Sequence, residues 1–412
     1  MEKIQRNSWI VIASATLTHL FLGTVYAWSF FQDKIALQMN WTQSESVWAF
    51  SLSILFLGLS AAWFGPRTHK YGLWQLAVIG TILYATGFII SGIALHCKWL
   101  WLLYLGFGLV GGTGLGMAYV TPVSAVSALS TKKNGLLTGL VVMGFGLGAL
   151  VMSKILAPAI MEWTGDNLAY TFIIIGSSLL IIQPVIAYQL RYSKERKKNV
   201  TVLAKELKIS LQQPSYYRLF TMFALNITAG MVFISFQSPM YERLLLGTSF
   251  NFSLLAEGSS LIAASAIFNG LGRLFWGYYG DKIGAIKAFR QIFMFQLALF
   301  SILILTKNPL VFFLSVCFVL WCYGGGFGIL PSLIKSQYGS RLMPSVYGIT
   351  LLGWSFGGII GPQLVALLQD YMPLEAQRFA LIVSGTFITL GFILSLRLRL
   401  QEGLKTGTHS TV

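Results

Sequence analysis

Twelve runs of apolar residues, each close to the roughly 20 that a helix needs to cross a bilayer, constrain this chain more than any other feature. They cover residues 9–31, 46–65, 73–95, 99–122, 134–158, 169–190, 217–240, 258–279, 289–306, 309–333, 346–368 and 378–396. In hydrocarbon every backbone N–H and C=O must be satisfied within the structure, which a helix achieves and an irregular strand of chain does not. The sequence therefore reads as an all-α membrane protein of twelve transmembrane helices. Only 10% of its residues are charged, against about a quarter in a soluble domain. The N-terminus shows no short apolar core with a cleavage site, so the first run is expected to stay in the mature protein.

A net charge of +16 would point to nucleic acid in a soluble protein, but here its placement explains it. With both termini on the cytoplasmic side, 22 Lys and Arg fall in inner loops and tails and six in outer loops, and Arg273 is the remaining one of 29. That asymmetry is the positive-inside rule. It orients the chain and leaves no basic patch interleaved with exposed aromatics for a nucleic acid.

The longest polar stretch, RYSKERKKNVTVLAKELKISLQQPS from Arg191 to Ser215, divides the chain. It is expected to be a cytoplasmic linker, residues 191–215, between an N-terminal half (1–190) and a C-terminal half (216–412). Its seven Lys and Arg favour an anionic leaflet, and Val200 to Leu211 has the pattern of an amphipathic surface helix. The halves repeat one another. An offset of 212 lays Gly65–Gly72 (GPRTHKYG) on Gly277–Gly284 (GYYGDKIG), and Gly114 and Gly116 on Gly326 and Gly328. An offset of 213 lays Gly135 and Gly144 on Gly348 and Gly357. Two like-oriented halves of six helices are the parallel repeat of the major facilitator fold, with a substrate site expected at the midplane between them.

Inside the eighth run stands Arg273, the one full charge that no turn or helix end carries to water. A buried ionisable group in a span is a functional candidate by default. Asn269 lies four residues earlier and so on the same helix face. A guanidinium offers a planar fork of donors to a carboxylate, and an amide completes the hydrogen bonding. A structural ion pair is the other reading, but every acidic residue falls in a loop or near a span end. Asp281, eight residues on, lies past the end of the run, and Glu257, before it, is 16 residues away, about 24 Å of helix.

Tyr26, Tyr119, Tyr323 and Phe327 sit at matching depths in the first, fourth and tenth runs and are candidates for a cavity wall, although each alone also fits packing or an interface belt. His19, seven residues before Tyr26, is a candidate proton carrier, or else a histidine bonded to a neighbouring helix. Asp281, after the eighth run, is expected to face the cytoplasm and to latch a neighbouring helix; its counterpart is His69. Cys97, Cys317 and Cys322 have neither metal nor disulfide spacing. No nucleophile–base pair or metal set can be assembled within the runs, so neither an enzyme nor a cofactor is expected.

The stretches YAWS, GGTGLGMAYVTPVS, KKNGLLTGLVVMGFGLGA, NGLGRLFWGYYGDKIG and YGGGFGILPS, in this order, resemble the oxalate/formate antiporter family of the major facilitator superfamily and, more distantly, proton-coupled monocarboxylate transporters. The resemblance implies that Arg273 holds a substrate carboxylate and that Tyr26, Tyr119, Tyr323 and Phe327 are site aromatics. It also implies a second cation, a Lys in the eleventh span, and here Trp354 stands in that place. A dianion beside a lone Arg keeps one uncompensated charge, costing several kcal/mol in a low-dielectric site. The expectation is thus a monomeric, multi-pass carrier in the inner (plasma) membrane. It would move a small monocarboxylate such as lactate, pyruvate, formate or a short fatty acid by proton symport or carboxylate exchange, with Trp354 as an apolar wall. Oxalate or another dicarboxylate, an amino acid or a siderophore are alternative cargoes, and a non-transporting membrane sensor is the alternative of another class.

Overall fold

A computed structural model of the protein describes residues 6–129, 134–193, 200–246 and 257–398. Its long helical segments are α1 (Ser8–Met39), α2 (Gln43–Tyr71), α3 (Leu73–His96), α4 (Leu100–Ser127), α5 (Asn134–Thr164) and α6 (Leu168–Tyr192). A shorter α7 (Val200–Leu211) follows, then α8 (Pro214–Leu245), α9 (Gly258–Ile283), α10 (Ala285–Leu305), α11 (Pro309–Thr350), α12 (Leu352–Tyr371) and α13 (Ala376–Arg397). The described residues contain no strand.

Ten segments of the described residues are long and apolar enough to cross a membrane. The sequence gives twelve apolar runs, and the difference lies in two places. α11 and α12 adjoin so closely that Pro309–Tyr371 forms one 63-residue segment, although α11 is interrupted at the non-helical Gly339 (φ 78°, ψ 163°). α9 falls outside the ten because its serines, Asn269 and Arg273 dilute the apolar run. Helices also continue beyond the apolar runs, since the backbone ladder persists where side chains turn polar. Asp33 and Lys34 therefore lie on α1, and Asp281 lies in the last turn of α9 instead of in the loop expected for it.

Local signals start several helices. Thr42 and Glu45 form a capping box at α2, with Thr42 Oγ1 accepting from the Glu45 N–H (3.1 Å) and the Glu45 carboxylate accepting from the Thr42 N–H (2.8 Å). Asn308 caps α11 by accepting from the Leu310 and Val311 N–H groups. Pro122 inside α4 cannot donate to the Ala118 carbonyl, and the Thr121 hydroxyl donates to it instead at 3.3 Å.

Glycine determines which helices meet most closely. Gly135, Gly139 and Gly146 lie on the face of α5 that meets α9 at Gly277, Arg273 and Gly270 respectively. Small residues at such spacing let helix backbones approach. The repeat read from sequence reappears in these contacts. Gly277 of α9 packs on Gly135 of α5, and the matched Gly65 of α2 packs on the matched Gly348 of α11. Gly72 and Gly284, also matched, both take a positive φ (81° and 94°) where α2 turns into α3 and α9 into α10, a backbone that only glycine adopts without strain.

A Cβ on Gly146 would lie 2.6 Å from the Gly270 Cα. Gly146→Val is therefore expected to lower the melting temperature in detergent, as overpacking costs about 1–3 kcal/mol. Gly385→Ala, whose Cβ would meet its nearest neighbour at 3.9 Å, should leave it unchanged. Equal melting of the two variants would show that the α5–α9 approach is not tightly packed.

Candidate functional site

Arg273 is fully buried, and its backbone is gripped from two sides: Gly139 of α5 and Gly328 of α11 both abut its carbonyl. The guanidinium Nε donates to Asn269 Oδ1 at 3.2 Å, and Nη1 donates to the Tyr119 hydroxyl at 3.4 Å. The guanidinium carbon lies 4.5 Å from the Phe327 ring centroid and 5.2 Å from that of Phe145, so two π-faces contribute roughly 0.5–2 kcal/mol each to holding the cation. Nη2 is buried with no hydrogen-bond partner among the described residues. None of the described carboxylates pairs with Arg273; on its own helix Asp281 accepts from the start of α5, and Glu257, just before that helix, pairs with Lys154 at 3.8 Å.

The aromatic residues close around this cation. Trp354 packs edge-on against Tyr26, Tyr119, Phe145 and Phe327, with centroid distances of 6.0, 5.1, 5.4 and 4.6 Å. Tyr26 sits on the 3-10 turn Gly23–Ala27 that interrupts α1, and its hydroxyl meets that of Tyr323 at 2.5 Å. Tyr323 in turn donates to the Met231 sulfur at 3.3 Å, which makes Tyr26 the donor of the first bond. None of these rings is more than 1% exposed, so the charge lies in a dry, aromatic surround.

His19 touches the same cluster. Its ring is 4.7 Å from that of Tyr119, and Nδ1 lies 3.2 Å from the Ala15 carbonyl, which can only accept; Nδ1 therefore carries a proton. Nε2 is buried with no hydrogen-bond partner among the described residues. Tyr119 thus stands between a cation and an imidazole, touching both.

Asp281 lies at the far end of α9, away from this cluster. Its carboxylate accepts from the Gly135 and Leu136 N–H groups, both at 3.1 Å, and so caps the first turn of α5. Nearby on α11, Lys335 Nζ donates to the Ser127 carbonyl at 2.7 Å and to Asn134 Oδ1 at 2.9 Å. α4, α5, α9 and α11 are thereby joined by polar contacts at one end of the bundle.

Arg273, Asn269, Tyr26, Tyr119, Tyr323, Phe327, Trp354 and His19 come together, and Asp281 does not belong to that cluster. Sequence reasoning missed Phe145, Tyr347 and Met231. Phe145 had a usable signal, because a bulky ring between Gly144 and Gly146 is the one side chain that this stretch of α5 can project. Tyr347 stacks on Tyr119 at 6.4 Å and Met231 comes from a featureless part of α8; neither stands out by pattern.

Comparison with known proteins agrees with this architecture. A family model described as Major Facilitator Superfamily matches residues 10–362. The chain belongs to the Major Facilitator Superfamily and is a membrane transporter, not an enzyme. It is 25% identical to YhjX of Escherichia coli (strain K12), an uncharacterized MFS-type transporter, over 86% of this chain and 87% of that one. It is 26% identical to the oxalate:formate antiporter of Oxalobacter formigenes, over 88% of this chain and 85% of the antiporter. To the apicoplast pyruvate carrier 1 of Toxoplasma gondii it is 23% identical, over 88% and 83% of the two chains. The crystal structure of the human organic anion transporter MFSD10 (TETRAN) shares the fold, with a TM-score of 0.64 and 14% identity over 95% of this chain and 100% of that one.

Asp281→Ala removes both acceptors from the start of α5 and is expected to cost roughly 1 kcal/mol, the usual worth of a helix cap. Asp281→Asn, which keeps one acceptor oxygen, should fall between that variant and the wild type in detergent melting. Identical melting of all three would show that the cap contributes nothing.

Proposed function

We propose that the protein is a secondary active transporter of a small monocarboxylate of the lactate, pyruvate, formate or short-fatty-acid type. The observation that carries this reading is Arg273 Nη2, a fully buried cationic donor without a partner among the described residues. A substrate carboxylate can take two parallel hydrogen bonds from Nη1 and Nη2, while Asn269 and the rings of Phe145 and Phe327 hold the fork in place. The names of two relatives, an oxalate:formate antiporter and a pyruvate carrier, support a carboxylate cargo. Trp354 supports a single carboxylate, because the ring packed against Tyr26, Tyr119, Phe145 and Phe327 supplies no charge for a second one.

In this reading the chain crosses the inner (plasma) membrane twelve times with both termini cytoplasmic, and works as a monomer. Residues 1–190 and 216–412 are its two halves, and 191–215 is the linker between them. The matched packing of Gly277 on Gly135 and of Gly65 on Gly348 supports two halves that rock against each other, giving alternating access to a central site. Asp281 serves as the gate that holds the cytoplasmic ends together. His19 is the proton-coupling group, since its Nε2 has no partner among the described residues and its ring lies against that of Tyr119. Symport of a monoanion with one proton and one-for-one exchange of monocarboxylates are both electroneutral cycles. Oxalate is the second reading, favoured by the antiporter relative; it requires His19 to supply the second positive charge.

Uptake of labelled pyruvate into proteoliposomes tests this. Arg273→Lys is expected to reduce uptake at least about tenfold, because an ammonium cannot reproduce the two-pronged geometry. Wild-type uptake by that variant would reject the assignment. Trp354→Lys should shift preference from pyruvate toward oxalate, and unchanged selectivity would remove Trp354 from the substrate wall.

A further inference from the structure

Ser265, Asn269 and Arg273 stand at i, i+4 and i+8 on α9. They share one face at intervals of about 6 Å, and all three are buried. Toward the N-terminal end of α9 from the guanidinium, this face borders a cleft of about 10 Å³, room for roughly one water. The polar groups on its walls are those of Tyr26, Gln237, Ser265 and Asn269. Gln237, on α8, has its Oε1 engaged by the Ser265 hydroxyl at 2.6 Å, a hydroxyl that also lies 3.1 Å from the Ile262 carbonyl; this orients the amide, and Nε2 takes no bond among the described residues.

We propose that this cleft receives a hydroxyl or keto oxygen on carbon 2 of the substrate. The transporter then selects 2-oxo and 2-hydroxy monocarboxylates over unsubstituted ones, and Gln237 is the residue that reads the oxygen. The inference deepens the carboxylate reading of Arg273 and rests on it. Three features of the cleft support it. Its volume suits one water-sized oxygen. Its polar walls are amides and hydroxyls without charge, which match an uncharged oxygen. Asn269 borders the cleft and also accepts from Arg273 Nε at 3.2 Å, so one side chain links the cleft to the guanidinium.

The test compares lactate with propionate, which differ only by the C2 hydroxyl, as competitors of labelled pyruvate uptake in proteoliposomes of the full chain. The readout is the ratio of their half-inhibitory concentrations within one preparation, so differences in expression or in the folded fraction cancel. The wild type is expected to favour lactate by roughly tenfold, about the worth of one hydrogen bond. Gln237→Leu should bring the ratio close to one, and Ser265→Ala should lower it by a smaller factor. A wild-type ratio near one, or a preference that survives in Gln237→Leu, overturns the inference while leaving the carboxylate reading intact, because that reading requires only that both acids compete. Absence of competition by either acid overturns the carboxylate reading and this inference with it.

Discussion

Everything central in this structure depends on keeping a guanidinium in a dry interior with one of its donors unmatched. An unpaired buried charge costs several kcal/mol, and the surroundings of Arg273 offset only part of that. Asn269 and Tyr119 accept from Nε and Nη1, Phe145 and Phe327 present their faces, and Nη2 has no partner among the described residues. Such an arrangement is stable enough to fold and still has more to gain from an incoming anion than from any side chain placed around it. The glycines of α5 and α11 belong to the same requirement. Gly139 and Gly328 allow two helices to press against the Arg273 carbonyl, which brings the rings of Phe145 and Phe327 over the cation.

The two ends of the bundle bear on how the proposed cycle would run. At one end Asp281 caps α5 and Lys335 reaches the Ser127 carbonyl. At the other, Lys154 of α5 meets Ser259 at 2.8 Å beside Glu257, and Ser44 bonds to Asp370. Polar contacts thus join helices near both ends, with aromatic packing between them. In the proposed cycle substrate binding would exchange the unmatched Nη2 for a neutral ion pair, and that change would lower the cost of passing through a closed state.

How much of this was legible in the sequence follows from what each residue type costs. A charge in an apolar run is conspicuous, so Arg273 stands out, and Asn269 follows from helical spacing alone. Trp354 stands out because it departs from a family pattern, and it joins the cluster. Phe145, Tyr347 and Met231 escaped notice because aromatic and sulfur side chains are common in every apolar run and carry no cost that marks them; only the tertiary approach of α5, α8 and α11 gives them partners. Gln237 escaped for a related reason: it lies near the end of a run, where polar residues are ordinary. Helix ends differ from the apolar runs for another reason. Hydropathy reports the side chains, whereas the ladder of backbone hydrogen bonds carries α1 to Met39 and α9 to Ile283. The offset of 212 was legible because glycines at close crossings and at positive φ tolerate no substitute.

The central claim is that Arg273 is completed by one carboxylate and not by two. Ligand-induced stabilisation of the purified protein in detergent measures this without reference to coupling or direction, because a ligand bound to the folded state raises the melting temperature by mass action. At equal millimolar concentration, pyruvate or lactate is expected to raise it in the wild type, with no rise in Arg273→Gln and little rise from oxalate. Stabilisation by oxalate equal to or greater than that by the monocarboxylates, or a rise that persists in Arg273→Gln, would contradict the account.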